Sequence, residues 1–195
     1  MAYLNREERH NTILHAAMRV AITEGMAATT VRRVANEAGV AVGQVHHHFA
    51  SVSRLRADAF LLLVTQSLAA FTIECQNLPT IERLQQVLGY PQDEMGQRET
   101  RLWNEVSILA ERDELIKAAY AASMSDWHQA TLAVIHAGIA NDEFRSDINA
   151  SDVAWRLIGL VCGLDGLIQF TELAFSEAEI LRHLNAMMAT ELLKN

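Results

Sequence analysis

The chain has 195 residues, half of them hydrophobic and 21% charged, which excludes a mainly disordered protein and permits a large core. Only 9 glycines and 2 prolines are present, too few for a many-turned all-β fold and typical of long helices. The net charge of −8 is unevenly distributed, because residues 1–58 hold seven arginines against five acidic residues. A mildly basic end on an acidic remainder indicates a chain that brings one end to phosphate.

Two cysteines, Cys75 and Cys162, are too few for a disulfide framework and indicate a reducing compartment. We expect both thiols to be buried and inert, Cys75 less firmly because of its polar neighbours. Charged residues interrupt the first 22 positions, so no secretory signal is apparent, and the apolar runs at 60–64 and 153–161 are too short to cross a bilayer. We therefore expect a cytoplasmic protein with no membrane partner.

The N-terminal third predicts three short helices and the start of a longer one. A first helix spans about 6–24, because apolar side chains recur along one face, and it closes at Gly25. Thr29 or Thr30 offers an N-cap for a second helix, which ends at Gly39. A third helix follows over about 42–48, and a fourth begins near Ser51 or Ser53 and ends near residue 76.

The remainder also predicts helices. Pro79 suits a helix N-terminus, and the segment 90–96 is interpreted as a loop. Further helices are expected at about 98–112, 113–139, 151–173 and 176–193, with loops marked by Gly138, 141–149 and 172–176. About nine helices and no credible strand predict an all-α fold. We expect a DNA-binding domain at residues 1–50 and a ligand-binding and dimerisation domain at residues 51–195.

Two short helices joined by a tight, glycine-containing turn have the form of a helix-turn-helix. On the second helix of this pair, Gly43 permits a close approach to DNA, Gln44 suits a bidentate contact to adenine and Val42 suits a thymine methyl. Val45 and Phe49 are expected to attach this helix to the first two.

The run from residue 29 to residue 55, TTVRRVANEAGVAVGQVHHHFASVSRL, resembles the DNA-binding signature of TetR-family transcriptional repressors. The chain length and the acidic helical body are similar as well. The resemblance implies a homodimer with one helix-turn-helix per subunit and a body that binds a small-molecule effector. It also implies DNA contacts at Thr30, Arg32, Val42, Gly43, Gln44, His46 and His47.

Three features depart from the family pattern. Ala41 stands where a Ser or Thr usually caps the recognition helix, and Val52 stands where a Lys usually holds a phosphate. His46 and His47 replace a common pair of tyrosines. Because imidazoles titrate near neutral pH, we expect DNA binding that is weaker or more pH-sensitive than usual.

The sequence offers less support for other functions. Three consecutive histidines point about 100° apart on a helix and do not converge on one ion, so we expect no metal and no cofactor. No nucleophile–base pair or phosphate loop supports an enzyme, although distant groups such as His128, His136 and Asp165 leave room for one. A helical adaptor whose head has lost DNA binding is the main alternative.

The segment 151–172 is the most informative part of the body. Gly159 and Gly163 lie four residues apart and share a helix face, which indicates either packing within one subunit or a two-fold interface with the last helix. The resemblance favours the interface, for which we expect Gly159, Gly163, Gly166, Leu167, Phe170, Leu181 and Leu184.

The element Leu164-Asp165-Gly166-Leu167 resembles that of the BetI-like subgroup, some of whose members respond to choline-derived ligands. Asp165 is either a contact for a cationic ligand or a structural residue, and the second reading is favoured because buried unpaired charge is costly. The effector is expected to be hydrophobic or cationic. Its pocket is expected among Phe60, Val64, Phe71, Trp103, Val106, Leu109, Tyr120, Met124, Trp127, His128, Trp155 and Cys162.

The sequence therefore predicts a ligand-responsive transcriptional regulator, most readily a repressor. Its two recognition helices would occupy successive major grooves of a palindromic operator. An effector would release it from the DNA, to the extent that it binds the free form more tightly than the DNA-bound form.

Overall fold

The computed structural model describes residues 5–88, 94–168, 170–173 and 175–194. Within those ranges the chain is all-α and contains no strand, as predicted. The elements are α1 (Arg6–Glu24), α2 (Val31–Ala38), α3 (Val42–His48), α4 (Val52–Glu74), α5 (Thr80–Leu88), α6 (Glu94–Ala110), α7 (Glu114–Ala140), α8 (Ala150–Ile168), a 3-10 turn (Thr171–Leu173) and α9 (Glu177–Leu192).

The ends of the first helices follow from local chemistry. Asn5 and Glu8 form a reciprocal capping box at the start of α1, with the Glu8 N–H donating to Asn5 Oδ1 over 2.9 Å. Gly25 ends α1 at φ 89°, and Gly39 ends α2 in the left-handed region at φ 65°. The first three helices accordingly have the bounds that the sequence predicts.

Three boundary predictions were wrong. Helix α6 begins at Glu94, so residues 94–96 are helical and not part of a loop; residues 90–93 lie outside the described ranges. Gly138 lies inside α7 and does not mark a loop; the Phe144 ring occupies the space that a β-carbon at residue 138 would need, which favours glycine there. Helix α8 ends at Ile168, and the 3-10 turn replaces its predicted last turn.

The described chain divides into two compact units, residues 1–67 with 97–123, and residues 68–96 with 124–195. In the first unit, the head (α1 to α3 with the start of α4) encloses a core of Ile13, Ala16, Ala17, Val34, Ala35, Val45, Phe49, Leu55 and Ala59. In the second, α8 lies at the centre of a core that includes Leu84, Ile135, Phe144, Leu157, Ile158, Leu184 and Met188. The predicted domain boundary at residue 50 stays a prediction.

One helix of the described part, α4, has the length and mean hydropathy (1.3) of a membrane span. Core helices of soluble proteins share this property, so it carries little weight.

Candidate functional site

The helix-turn-helix presents a small, exposed surface on α3. Val45 and Phe49 are 1% and 3% exposed, and both lie in the head core with residues of α1 and α2. This packing fixes the rotation of α3, so that its other side faces outward. The seven residues predicted to contact DNA are all exposed: Thr30, Arg32, Val42, Gly43, Gln44, His46 and His47. Their individual DNA contacts stay predictions.

The helix starts in the head include two of the positions that depart from the family pattern, Ala41 and Val52. The Thr30 hydroxyl accepts from the Arg33 N–H at the start of α2 over 3.2 Å. Ala41 provides no side-chain cap for α3, and only its carbonyl accepts from the Gln44 N–H, over 2.9 Å. At the start of α4 the Ser51 hydroxyl accepts from the Arg54 N–H over 3.0 Å, so this helix start is capped even though Val52 has no polar side-chain atom.

An ion-pair network joins α1 to α2. Arg19 donates to Glu37 over 3.1 Å, and Arg33 donates to both Glu24 and Glu37. Hydrogen bonds from Arg19 and Arg33 hold the pKa of Glu37 below its ordinary value. These two guanidinium groups are therefore engaged within the protein.

An aromatic and cationic cluster lies where α1 meets the end of α3. The His10 ring stacks on Phe49 at a centroid distance of 4.5 Å and lies 5.9 Å from His48, which is 5.3 Å from His47. Partial burial, and then the neighbouring positive groups, lower the pKa of His48 below its usual 6.5. No three His, Cys, Asp or Glu side chains in the described ranges are placed to hold a metal ion.

The loop between α1 and α2 is held by two side chains from outside the head helices α1 to α3. Glu105 of α6 accepts from the Met26 N–H over 2.7 Å. From α4, Arg56 donates to the carbonyl oxygens of Thr29 (3.0 Å) and Ala27 (3.1 Å). Neither residue was identified from the sequence, because nothing in the local pattern of α4 or α6 indicates that it reaches this loop.

The same two helices contribute to an aromatic cluster, defined here as Phe60, Trp103 and Tyr120. Phe60 and Tyr120 are nearly parallel, with centroids 6.5 Å apart, and Trp103 stands edge-on to them at 4.9 and 5.6 Å. Glu99 lies one helical turn before Trp103 and accepts from the Ser67 hydroxyl over 3.0 Å. Glu99 and Trp103 therefore share one face of α6.

Ser123 is a further candidate that the sequence analysis missed. It lies three residues after Tyr120 on α7, so the two side chains share a helix face. Ser123 is fully buried, and its hydroxyl oxygen has no hydrogen-bond partner in the part of the chain that the structure describes. Such a group is unusual in a protein interior and suits a ligand that carries a polar atom.

The structure separates the predicted pocket residues into two sets. Phe60, Val64, Trp103, Val106, Leu109 and Tyr120 belong to the first unit; Phe71, Met124, Trp127, His128, Trp155 and Cys162 belong to the second. Phe71, Met124 and Trp127 pack against the core of the second unit. The Trp127 indole N–H donates to the Val87 carbonyl over 2.7 Å, which gives this residue a structural role.

The exposed face of α8 corrects two predictions. Cys162, expected to be buried, is exposed, and Trp155 is 46% exposed and stacks on the buried His128 ring at 4.4 Å. The spacing of 155, 159, 162, 163 and 166 places Trp155 and Cys162 on the glycine side of the helix and not among the core positions. Cys75, at the end of α4, is buried, as expected.

The residues predicted for a dimer interface differ in exposure. A β-carbon built at Gly159, Gly163 or Gly166 meets no atom within 4 Å, and Phe170 is 57% exposed. Leu167 and Leu181 are half-buried. Leu184 is fully buried in the core of its own chain, so its side chain has no surface to offer a partner. The interface prediction for Leu184 was wrong, because its position on α9 faces the core of the subunit.

A helix-turn-helix at the N-terminal end of a chain whose described part is all-α is the architecture of a DNA-binding transcriptional regulator. Residues 13–55 match the family model of bacterial regulatory proteins of the tetR family, and residues 80–193 match that of the BetI-type transcriptional repressor C-terminal region. The second match alone covers more than half of the chain. The chain belongs to the TetR family of transcriptional regulators, with a BetI-type body.

Individual proteins agree with this assignment. The HTH-type transcriptional regulator PksA of Bacillus subtilis is 27% identical over 174 residues, which are 83% of this chain and 78% of PksA. A transcriptional regulator from Saccharomonospora viridis, solved in complex with choline, is 22% identical, with a TM-score of 0.79 over 97% of this chain and 100% of that one. A TetR-family regulator from Cytophaga hutchinsonii is 20% identical, with a TM-score of 0.80 over the full length of both chains.

Proposed function

We propose that this protein is a cytoplasmic, homodimeric repressor that acts by binding and not by catalysis. The observation that carries the proposal is the exposed face of α3, held outward by the burial of Val45 and Phe49. Two such helices, one per subunit, would occupy successive major grooves about one helical turn apart on a palindromic operator. A small-molecule effector would release the dimer from that operator.

The test is an anisotropy titration of the protein against the DNA upstream of its own gene, with competitor DNA. Gln44→Ala should weaken specific binding, because Gln44 is expected to read an adenine edge, at about 1–3 kcal/mol per bidentate contact. Arg32→Ala should weaken binding as well. Gln66→Ala, an exposed amide on α4, is the matched control and should bind like the wild type. If neither Gln44→Ala nor Arg32→Ala changes DNA retention, the head does not read DNA. The protein would then be a helical adaptor and not a repressor.

For the effector we propose a compact organic cation held at the aromatic cluster. Aromatic faces attract quaternary ammonium groups, and Phe60, Trp103 and Tyr120 provide three such rings. Glu99, on the same face of α6 as Trp103, supplies a carboxylate. The choline bound by the Saccharomonospora viridis relative and the BetI-type body model support this class over a purely hydrophobic ligand. The Ser123 hydroxyl would donate to or accept from a polar atom of the ligand.

Choline is the first probe. It should quench tryptophan fluorescence and lower DNA affinity in the wild type, and Trp103→Leu should abolish both effects. Trp127→Phe is the control, since that indole is bonded to Val87 and should leave choline binding intact. If choline displaces DNA equally from the wild type and Trp103→Leu, the cation site lies elsewhere. If a hydrophobic ligand displaces DNA and choline does not, the effector is a hydrophobic molecule and not a cation.

A further inference from the structure

The arginines of the head fall into two groups by what they contact. Arg19, Arg33 and Arg54 form ion pairs with acidic side chains, and Arg56 donates to backbone carbonyls. Arg6, Arg9 and Arg32 form no side-chain hydrogen bond or ion pair with any residue in the described ranges. Arg32 already belongs to the predicted DNA surface, whereas Arg6 and Arg9 belong to nothing described so far.

Arg6 and Arg9 lie near the start of α1, beside the end of the recognition helix. Residues 6, 9 and 10 are three and four positions apart, so their side chains share one face of α1. His10 on this face stacks on Phe49 and approaches His48, whose pKa is lowered by burial and then by its neighbours His47, His10, Arg6 and Arg9. The groups that act on His48 thus come from α3 and α1, and all of them are cationic or titratable to cations.

We propose that Arg6, Arg9, His10, His47 and His48 form a phosphate-binding patch, which contacts the DNA backbone next to the major groove that α3 enters. The patch is continuous with the DNA surface through the exposed His47. Each arginine is an unengaged planar donor of the kind that phosphate oxygens bind, and each histidine keeps at least one N–H donor. The inference rests on the proposed DNA binding and adds a site to it.

The patch would also replace a phosphate contact that this head lacks. Val52 has no donor where the family pattern has a lysine. Since phosphate contacts position the protein on the duplex but carry no base sequence, contacts from α1 can replace contacts from α4 without changing what α3 reads.

The experiment measures DNA affinity as a function of salt, from about 50 to 300 mM, at about pH 8. Arg6→Ala/Arg9→Ala should lower the slope of log K against log salt by about 0.9 for each phosphate that the protein no longer neutralises, or about 3.6 for a dimer with two heads bound. Affinity at low salt should fall at least roughly tenfold. Arg6→Lys/Arg9→Lys keeps both charges and should restore the slope.

The matched control is Arg145→Ala/Lys194→Ala, which changes the net charge equally but lies in the second unit. Its salt slope should equal that of the wild type. A wild-type protein titrated at about pH 6 should bind the same duplex more tightly than at about pH 8, because the phosphates favour protonated imidazoles. His10→Gln/His48→Gln should reduce that difference.

The outcomes separate the two proposals. Specific wild-type binding with an unchanged slope in Arg6→Ala/Arg9→Ala would overturn the patch and leave the repressor function intact. A decrease of the slope in the alanine variant that lysine does not restore would also overturn it, because charge would then not be the cause. Absence of wild-type binding to any duplex at low salt and at both pH values would overturn both proposals.

Discussion

At the scale of single residues, Gly25 is a position where both the backbone conformation and the neighbouring atoms oppose a side chain. Its φ of 89° is rarely adopted by other residues, and an added β-carbon would lie 2.9 Å from both carboxylate oxygens of Glu105. We expect Gly25→Ala to destabilise the protein by about 2 kcal/mol or more, from backbone strain together with the displaced Glu105–Met26 hydrogen bond.

Gly39→Ala is the comparison, because Gly39 also has a positive φ but no atom within 4 Å of an added β-carbon. Gly39→Ala should lower the free energy of unfolding by about 1 kcal/mol, from the strain of the left-handed backbone alone. Urea unfolding of both variants provides the test. Equal destabilisation would show that the Glu105 contact contributes nothing at Gly25.

His48 predicts how the stability of the head responds to pH. Its pKa is lowered in the folded protein, mainly by burial and then by His47, His10, Arg6 and Arg9, so the unfolded chain binds this proton more readily. The stability that depends on a neutral His48 is therefore fully present above about pH 6.5 and is lost as the pH falls through the lowered value. The free energy of unfolding should decrease between about pH 8 and pH 5.5.

His48→Gln should flatten this decrease, since glutamine does not titrate. The pKa of the ion-paired Glu37 is lowered too. Glu37 therefore changes the free energy of unfolding only when the pH falls below about its ordinary pKa of 4.5, and it does not affect the comparison at higher pH. Urea titrations at a series of pH values measure the effect. A wild type and a variant with the same pH profile above about pH 5 would contradict the assignment to His48.

At the scale of elements, α3 is the helix with the clearest deficit. Ala41 precedes it without a capping side chain, and the Gln44 N–H lies three residues on, where a serine oxygen could accept it. We expect Ala41→Ser to stabilise the protein by about 1 kcal/mol. Ala50→Ser, which adds the same hydroxyl outside any cap, should change stability little, and thermal unfolding of the pair would distinguish a cap from a general polar effect.

Helix α8 illustrates how an element can have two different apolar sides. Val153, Ala154, Leu157 and Ile158 are buried in the core, whereas Gly159 and Gly163 face outward with open space beyond them. Glycine inside a helix costs about 1 kcal/mol relative to alanine, and nothing within the described chain requires small residues there. We therefore expect a second α8 to approach closely at this outward face, which stays a prediction until the assembly is measured.

At the scale of the whole molecule, the glycines of α8 give a direct test of assembly. Gly159→Leu/Gly163→Leu should leave a single subunit folded, because no atom lies within 4 Å of a β-carbon added at either position and leucine favours helix. The same change should block a dimer that depends on close packing at this face. Sedimentation velocity should show a dimer for the wild type and a monomer for the variant, with unchanged helicity by circular dichroism.

Ala121→Leu, an equally exposed helical position on α7, is the control and should stay dimeric. A double-leucine variant that remains a dimer at low concentration would place the interface on another surface. A variant that loses its helicity would show instead that the glycines are needed within the subunit.

The sequence by itself determined the all-α class, the bounds of α1 to α3 and the inward positions of Val45 and Phe49. These features follow from short-range rules: apolar periodicity, glycine at helix ends and hydroxyl caps act within a few residues and leave a readable pattern. The outward side of α3 followed from the same periodicity, whereas its DNA contacts are what the resemblance to the TetR family implies.

The tertiary structure alone decided which distant side chains meet. Glu105 reaches Met26 across 79 positions, Arg56 reaches Thr29 across 27, and Phe144 fills the space beside Gly138. It also divided the aromatic residues between two units, and it assigned Trp155 and Cys162 to the outward side of α8 and Leu184 to the core. The physical reason is that a helical pattern shows which residues share a face, whereas the partner of that face depends on how the helices pack.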